Sequence, residues 1–395
     1  MNDRPNPAAG AYPLAAASLG LMLAGTFMPS PLYELYRREW GLSPAEISVV
    51  FAVYAASLIP VLLFLGGISD RIGRRRTLLI ALALQAVAAL IFAFATNMWW
   101  LIVARVVQGC ALGIGAGAAA AATREWMDEA LRPRAGMVTV MGSGIGSAFG
   151  ALLGGGVAQY APLPLTLPYL VYVLLVAGLA VGVARVPHCP HLASTGRHAF
   201  PTIPAAIRRP FFIASVESFV SWATFAIFVS LLPSFLARSL DVHNLMLGAI
   251  VVTCLQTGMV SASFVGRRLG NRAAIVTSML ALTGGMWLLL LAVPLHAYAV
   301  LILATFVVGA GGGLSYLAGL NIVGAIAPPE HRAEVTSAFF VACYLGFSVP
   351  ALGVGIAANR FGLYDSIVGG AALLGIIAVT MLVLTTERNL TRAPG

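Results

Sequence analysis

The sequence predicts an all-α membrane protein with twelve transmembrane helices in two pseudo-symmetric six-helix bundles. Three observations carry that prediction. The 395 residues are 59% hydrophobic and only 9% charged, with a mean hydropathy of +0.92. About twelve apolar windows approach the ~20 residues needed to cross a bilayer. Arginines crowd the short breaks between windows, mostly on one side of the implied membrane. A water-soluble domain carries roughly 25% charged residues. Strands of a membrane barrel would alternate over about 10 residues rather than run apolar for twenty.

The windows fall near 12–33, 47–66, 77–96, 99–122, 135–159, 167–185, 211–236, 245–265, 273–293, 297–324, 333–357 and 365–385. The first follows Arg4 and resembles a signal peptide, but its apolar run exceeds the 7–15 residues of a usual signal core, so it is taken as a span. Residues 186–210, "VPHCPHLASTGRHAFPTIPAAIRRP", are the least apolar stretch. They divide the chain into an N-terminal bundle (1–186), a cytoplasmic linker (187–210) and a C-terminal bundle (211–395).

All 23 basic residues are arginine. Without lysine there is no Walker A phosphate-binding loop and no Schiff base, so ATP-driven pumping and retinal or pyridoxal chemistry are excluded. With the N-terminus in the cytoplasm, eighteen arginines face the cytoplasm, four face outward (Arg37, Arg38, Arg238 and Arg360), and Arg105 lies inside a span. That asymmetry predicts both termini inside. The net charge of +9 matches anionic lipid headgroups and requires no nucleic acid. Cys110, Cys189, Cys254 and Cys343 are widely separated, and "HCPH" (188–191) stands alone, so neither disulfides nor a metal site is expected.

The halves repeat. "DRIGRR" (70–75) is echoed by "RRLGNR" (267–272), "RVVQG" (105–109) by "TFVVG" (305–309), and "GSAFGALLGG" (146–155) by "GFSVPALGVG" (346–355), at offsets of 197, 200 and 200. Paired like halves are a common plan of secondary transporters.

One loop is charged out of proportion to its surroundings. "GGISDRIGRRR" (66–76) reads as a tight cytoplasmic hairpin between spans two and three. Gly66 permits close helix approach and Gly73 a turn. Asp70 can sit against the N-terminus of a neighbouring helix, while Arg74, Arg75 and Arg76 reach headgroups. Gly66, Asp70, Arg71, Gly73, Arg74 and Arg75 together resemble the signature loop of the major facilitator superfamily. The resemblance implies that family's fold and alternating-access transport, with Asp70 latching against span eleven in the outward-open state. The second copy has Arg267 at the place of Asp70, which implies a weak or absent second latch.

Two further stretches share the resemblance. "RVVQGCALGIGAG" in span four places Arg105 inside the membrane, where a charge costs roughly 2.5–3.5 kcal/mol on insertion scales. It should face the bundle interior, with carbonyls, Gln108 or a carboxylate as partner, or else snorkel to the interface. The family resemblance implies a part in proton coupling. "GSGIGSAFGALLGGG" in span five resembles the exporter motif through Gly146, Gly150, Gly154 and Gly155, with Ala151 where the family has proline. Glycines four apart equally suit plain helix packing.

Glu217 is the other intramembrane charge. It is a candidate proton carrier, because desolvation favours the neutral acid, or a static partner of Arg105. Glu34, beside Tyr33 and Tyr36, is a further proton-coupling candidate, though an exposed interfacial position is expected. Gln108, Trp222, Phe225, Phe228, Gln256, Asn321 and Tyr344 are candidates for lining a cavity. Within the family, the motifs most resemble twelve-span drug:proton antiporters. The expected partners are a small hydrophobic or cationic molecule, protons and membrane lipid. Neither a cofactor, a catalytic residue nor a metal is expected, and the chain is expected to act as a monomer. Proton symport, facilitated diffusion and a non-transporting membrane receptor remain alternatives.

Overall fold

The computed structural model describes residues 8, 10–65, 68–187, 203–239, 244–266, 268–292, 295, 297–328 and 331–384. Gly66, Arg267, the "HCPH" segment and most of the linker lie outside the described residues. Fourteen α-helices are present among those described: α1 (Tyr12–Phe27), α2 (Tyr33–Trp40), α3 (Pro44–Leu65), α4 (Ile68–Ile72), α5 (Arg74–Ala93), α6 (Met98–Glu125), α7 (Ala135–Tyr160), α8 (Leu167–Ala184), α9 (Arg208–Ser239), α10 (Leu245–Gly266), α11 (Asn271–Ala292), α12 (Tyr298–Ile326), α13 (Arg332–Phe361) and α14 (Leu363–Leu384). Eleven are long and apolar enough to cross a membrane, and α1 is a shorter apolar helix of 16 residues. The chain is an all-α membrane protein.

Two expected elements differ. The first window, 12–33, is a helix only as far as Phe27; turns and the short polar helix α2 follow. Pro29 and Pro31 explain the break, since neither has an N–H to continue the ladder. The loop at 66–76 is not a bare hairpin, because residues 68–72 wind into α4 before Gly73 starts α5. Gly73 has φ +94°, a conformation that side-chain-bearing residues rarely adopt.

The described residues pack into two compact units, residues 1–32 with 56–198 and residues 33–55 with 199–395. Helix α3 is divided between them at residue 55/56. Pro60 lies inside this helix and cannot donate to the Ala56 carbonyl at the same point. In the first unit α1 packs on α7 and α6, and α5 packs on α6 and α8. In the second, α9 packs on α13 and α12, and α11 packs on α12 and α14. Numbered as spans, the pairings 1·5, 1·4, 3·4 and 3·6 recur as 7·11, 7·10, 9·10 and 9·12, as the 200-residue offset anticipates.

The span-five glycines form a seam with α1. A Cβ on Gly146 would overlap the backbone of Gly20, one on Gly150 the backbone of Ala24, and one on Gly154 the Met28 carbonyl. Four-residue spacing on both helices lets two bare backbones run together, which makes up in dispersion what lipid cannot supply as a hydrophobic force. Gly346, the counterpart of Gly146, is pressed in the same way against the Phe219 backbone. Gly155 is also buried.

Replacing Gly150 by leucine should force α1 and α7 apart and lower the thermal unfolding midpoint of detergent-purified protein, at a cost of about 1–3 kcal/mol. Gly136→Ala, where nothing lies within 4 Å, should leave that midpoint unchanged or raise it. Equal midpoints for Gly150→Leu and the wild type would refute the seam.

Candidate functional site

The loop charges form a network. The Arg74 guanidinium lies 2.5 Å from an Asp70 carboxylate oxygen and 2.9 Å from Glu125 at the end of α6, and it donates to Ser69 Oγ at 2.5 Å. Asp70 is about one-third exposed (36%). Arg71 and Arg76 are exposed. Arg75 donates to the Ala184 carbonyl at the C-terminal end of α8, where the helix dipole is negative. The loop is therefore tied to the first unit through α6 and α8. Glu125 and Ser69 were not among the expected residues, because only the fold brings position 125 to position 74.

A second cluster surrounds the end of α1. Arg105 on α6 is 1% exposed. Its Nη1 donates to the Thr26 carbonyl at 3.0 Å and to Gln108 Oε1 at 2.5 Å, and Gln108 Nε2 donates to the Gly25 carbonyl at 2.8 Å. The guanidinium lies 5.6 Å from the centre of the Phe92 ring, which stacks on Tyr169. The cause is legible in α1. The last carbonyls of a helix have no partner within it. The residue four beyond Gly25 is Pro29, which has no N–H, and the Ser30 N–H goes to Phe27 instead of Thr26. At 1.5 Å per residue α1 is only about 24 Å long against a ~30 Å hydrocarbon core, so these carbonyls end where water cannot reach them. Arg105 and Gln108 cap them. Nearby, Tyr172 donates to the Leu21 carbonyl at 2.7 Å and Gln85 to the Met22 carbonyl at 3.3 Å. Neither residue was anticipated, since a lone Tyr or Gln in a span carries no signal of its partner.

The third cluster lies in the second unit. Glu217 on α9 is fully buried (0%), and Ser218 donates to its Oε2 at 3.3 Å. Ser278 on α11 and Ser315 on α12 lie beside the carboxylate, but neither Oγ hydrogen-bonds to it. Cys343 on α13 is buried within electrostatic range of the same group. One residue along from Ser315 and Cys343, and five from Glu217, an aromatic cluster begins. Trp222 packs with Tyr316, Tyr344 and Phe347, and Phe347 touches Phe225, Phe51 and Tyr54. Trp222 and Tyr344 are half-buried despite their mid-span positions. Gln256, Phe225 and Phe228 are buried, whereas Asn321 is exposed.

Glu34 is buried rather than exposed as expected. It binds Arg37 at 2.6 Å and Arg38 at 2.9 Å, and its carboxylate raises the Arg37 guanidinium above its usual range. Among the described residues no three His, Cys, Asp or Glu side chains gather as metal ligands.

Comparison with known proteins fits this architecture. The family model for the Major Facilitator Superfamily matches residues 15–351 and 219–393. The chain belongs to the major facilitator superfamily. It is 33% identical over 145 residues to a gallate transporter of Pseudomonas putida, covering 32% of each chain. It is 31% identical over 97 residues to the multidrug resistance protein MdtL of Klebsiella pneumoniae, covering 25% of each. These matches span about a third of the relatives' length or less. A bacterial homologue of the human lysosomal transporter Spinster, crystallised inward-facing and unoccupied, superposes with a TM-score of 0.78 at 15% identity over 99% of both chains. The nucleoside transporter NupG, crystallised as a point mutant, gives 0.78 at 14%, covering 95% of this chain and 99% of the other. At such identities these two share the fold alone.

The cap at α1 is testable by a double-mutant cycle. Gln108→Ala should cost about 1 kcal/mol by stranding the Gly25 carbonyl. Pro29→Ala restores an N–H for that carbonyl, so Gln108→Ala should cost less on that background. Equal costs on both backgrounds, read by thermal unfolding, would show that Gln108 does not cap α1.

Proposed function

We propose that the protein is a secondary active transporter of a bacterial cell membrane, not an enzyme, and that it exports a small hydrophobic or cationic molecule in exchange for protons. Residues 1–186 and 211–395 act as its two six-span bundles in alternating access, with both termini in the cytoplasm. The observation that carries this reading is the placement of a fully buried carboxylate, Glu217, next to a half-buried aromatic cluster on the same helices. Among the described residues no arginine binds Glu217, and an intramembrane carboxylate in that state is costly unless it takes up a cation. Aromatic faces beside it suit an apolar or cationic ligand. The arginine asymmetry supports the orientation, and membership in the family supports transport.

Roles follow from the contacts. Glu217 carries the proton. Arg105 and Gln108 hold the end of α1, and Arg105 influences coupling through α1 rather than by releasing a proton. Glu34, held by two arginines, fixes α2. Asp70 latches the cytoplasmic side against span eleven in one state and pairs with Arg74 in another. The relative named as a multidrug resistance protein supports this reading. A second reading, proton-coupled import of an aromatic acid, is favoured by the relatives named as a gallate transporter and, at 32% identity over 76 residues, a niacin transporter of Acinetobacter baylyi.

The test is flux in proteoliposomes with an imposed pH gradient, comparing lipophilic cations with aromatic acids. Cation efflux driven by inward protons supports the first reading, and acid uptake along with protons supports the second. Glu217→Gln should abolish the dependence on the gradient, and an unaltered pH profile removes Glu217 from the mechanism. Asp70→Asn should reduce flux several-fold with normal membrane insertion; unchanged flux removes the latch.

A further inference from the structure

Two hydroxyls near Glu217 depart from a pattern that many others in the second unit keep. A serine or threonine inside a membrane helix usually donates to the carbonyl four residues back. Thr224, Ser230, Thr253, Ser263, Thr305 and Ser348 all do so, at 2.7–3.0 Å. Ser278 and Ser315 do not. Among the described residues their Oγ atoms, and Glu217 Oε1, are buried without any hydrogen-bond partner. Ser48 and Ser215 share this property, but Ser48 is on α3 and Ser215 lies two residues from Glu217 on α9, about 200° round the helix, so neither is part of the group.

Glycines on α12 bring the three oxygen-bearing helices together. The backbone of Ser278 lies 3.1 Å from where a Cβ of Gly311 would be, and Ser218 Oγ lies 2.6 Å from that of Gly319. Ser315 sits four residues from each. Two carboxylate oxygens and three hydroxyl oxygens, from α9, α11 and α12, thus lie in one buried region of the second unit. Cys343 on α13 is the titratable group within electrostatic range of the carboxylate. Among the described residues no arginine or histidine pairs with Glu217. Buried polar atoms left unsatisfied in a native protein call for an absent water or ion.

Resting on the reading of Glu217 as the coupling-cation group, we propose that Glu217, Ser218, Ser278 and Ser315 form a binding site for one small monovalent metal cation, Na⁺ or Li⁺, which competes with the proton for the carboxylate. The chemistry selects the class. All five donors are hard oxygens, the type that alkali and alkaline-earth ions take and soft transition metals do not. One carboxylate neutralises one positive charge. A divalent ion would leave a net charge in a membrane interior, which is strongly unfavourable. A proton occupies one carboxylate oxygen, whereas a metal cation can gather all five oxygens at once.

The test uses the purified full chain in lipid nanodiscs at pH 8, with thermal unfolding followed by tryptophan fluorescence in NaCl, LiCl, KCl or choline chloride at constant ionic strength. Na⁺ and Li⁺ should raise the midpoint saturably by a few degrees over choline, and half-saturation should need more Na⁺ at pH 5.5 than at pH 8. Ser278→Ala and Ser315→Ala should each raise the half-saturating Na⁺ concentration at least ten-fold, Glu217→Gln should remove the effect, and Ser230→Ala should leave it unchanged. Equal midpoints in all four salts, or a wild-type Na⁺ response in Ser315→Ala, would overturn the site, and the serine variants carry the test if Glu217→Gln does not fold. Proton-driven flux without any Na⁺ response keeps the transport reading and removes this one, and a Na⁺ response without flux does the reverse.

Discussion

Hydrocarbon offers no hydrogen bonds, so every carbonyl that a membrane helix leaves open must find a partner within the protein. That constraint organises the first unit. Helix α1 stops early because Pro29 and Pro31 forbid continuation, and the exposed carbonyls of Gly25 and Thr26 are met by Gln108 and Arg105 from α6. An intramembrane arginine that would be costly alone becomes the group that completes its neighbour's helix end. Arg75 does the same at the end of α8, closer to the surface.

The second unit meets the same constraint differently. Its polar atoms gather near Glu217 rather than on a broken helix end, with Ser218 donating to the carboxylate, and glycines of α12 let α9 and α11 approach closely. Thr305 stands where Arg105 would be by the 200-residue offset, and it is satisfied by its own helix. The two units repeat in packing but not in polar chemistry: one holds a fixed cation, the other an acid that has no fixed counter-ion among the described residues.

Much of the fold was legible because bilayer thickness imposes a length that apolar composition reveals directly. Span positions, the Gly73 turn and the repeat offset all follow from residue type and spacing. The break after Phe27 was legible in principle from Pro29 and Pro31, but the continuous apolar run around them concealed it. The partners of functional residues were not legible. Glu125 reaches Arg74, and Ser278 and Ser315 come near Glu217, only through helix packing, and one serine in an apolar span looks like any other. The burial of Glu34 was likewise hidden, because a short polar stretch next to two arginines reads as surface until its tertiary neighbours are known. The span-five glycines, read either as an exporter motif or as packing, show their packing role plainly against α1.

The dependence of α1 on later segments has a consequence for biogenesis. Thr26 and Arg105 are 79 residues apart in sequence, and Gly25 and Gln108 are 83 apart. At about 5–20 residues per second, the ribosome takes roughly 4–16 s to supply those partners after α1 has emerged. During that interval the end of the nascent first helix lacks the side chains that cap it in the folded protein.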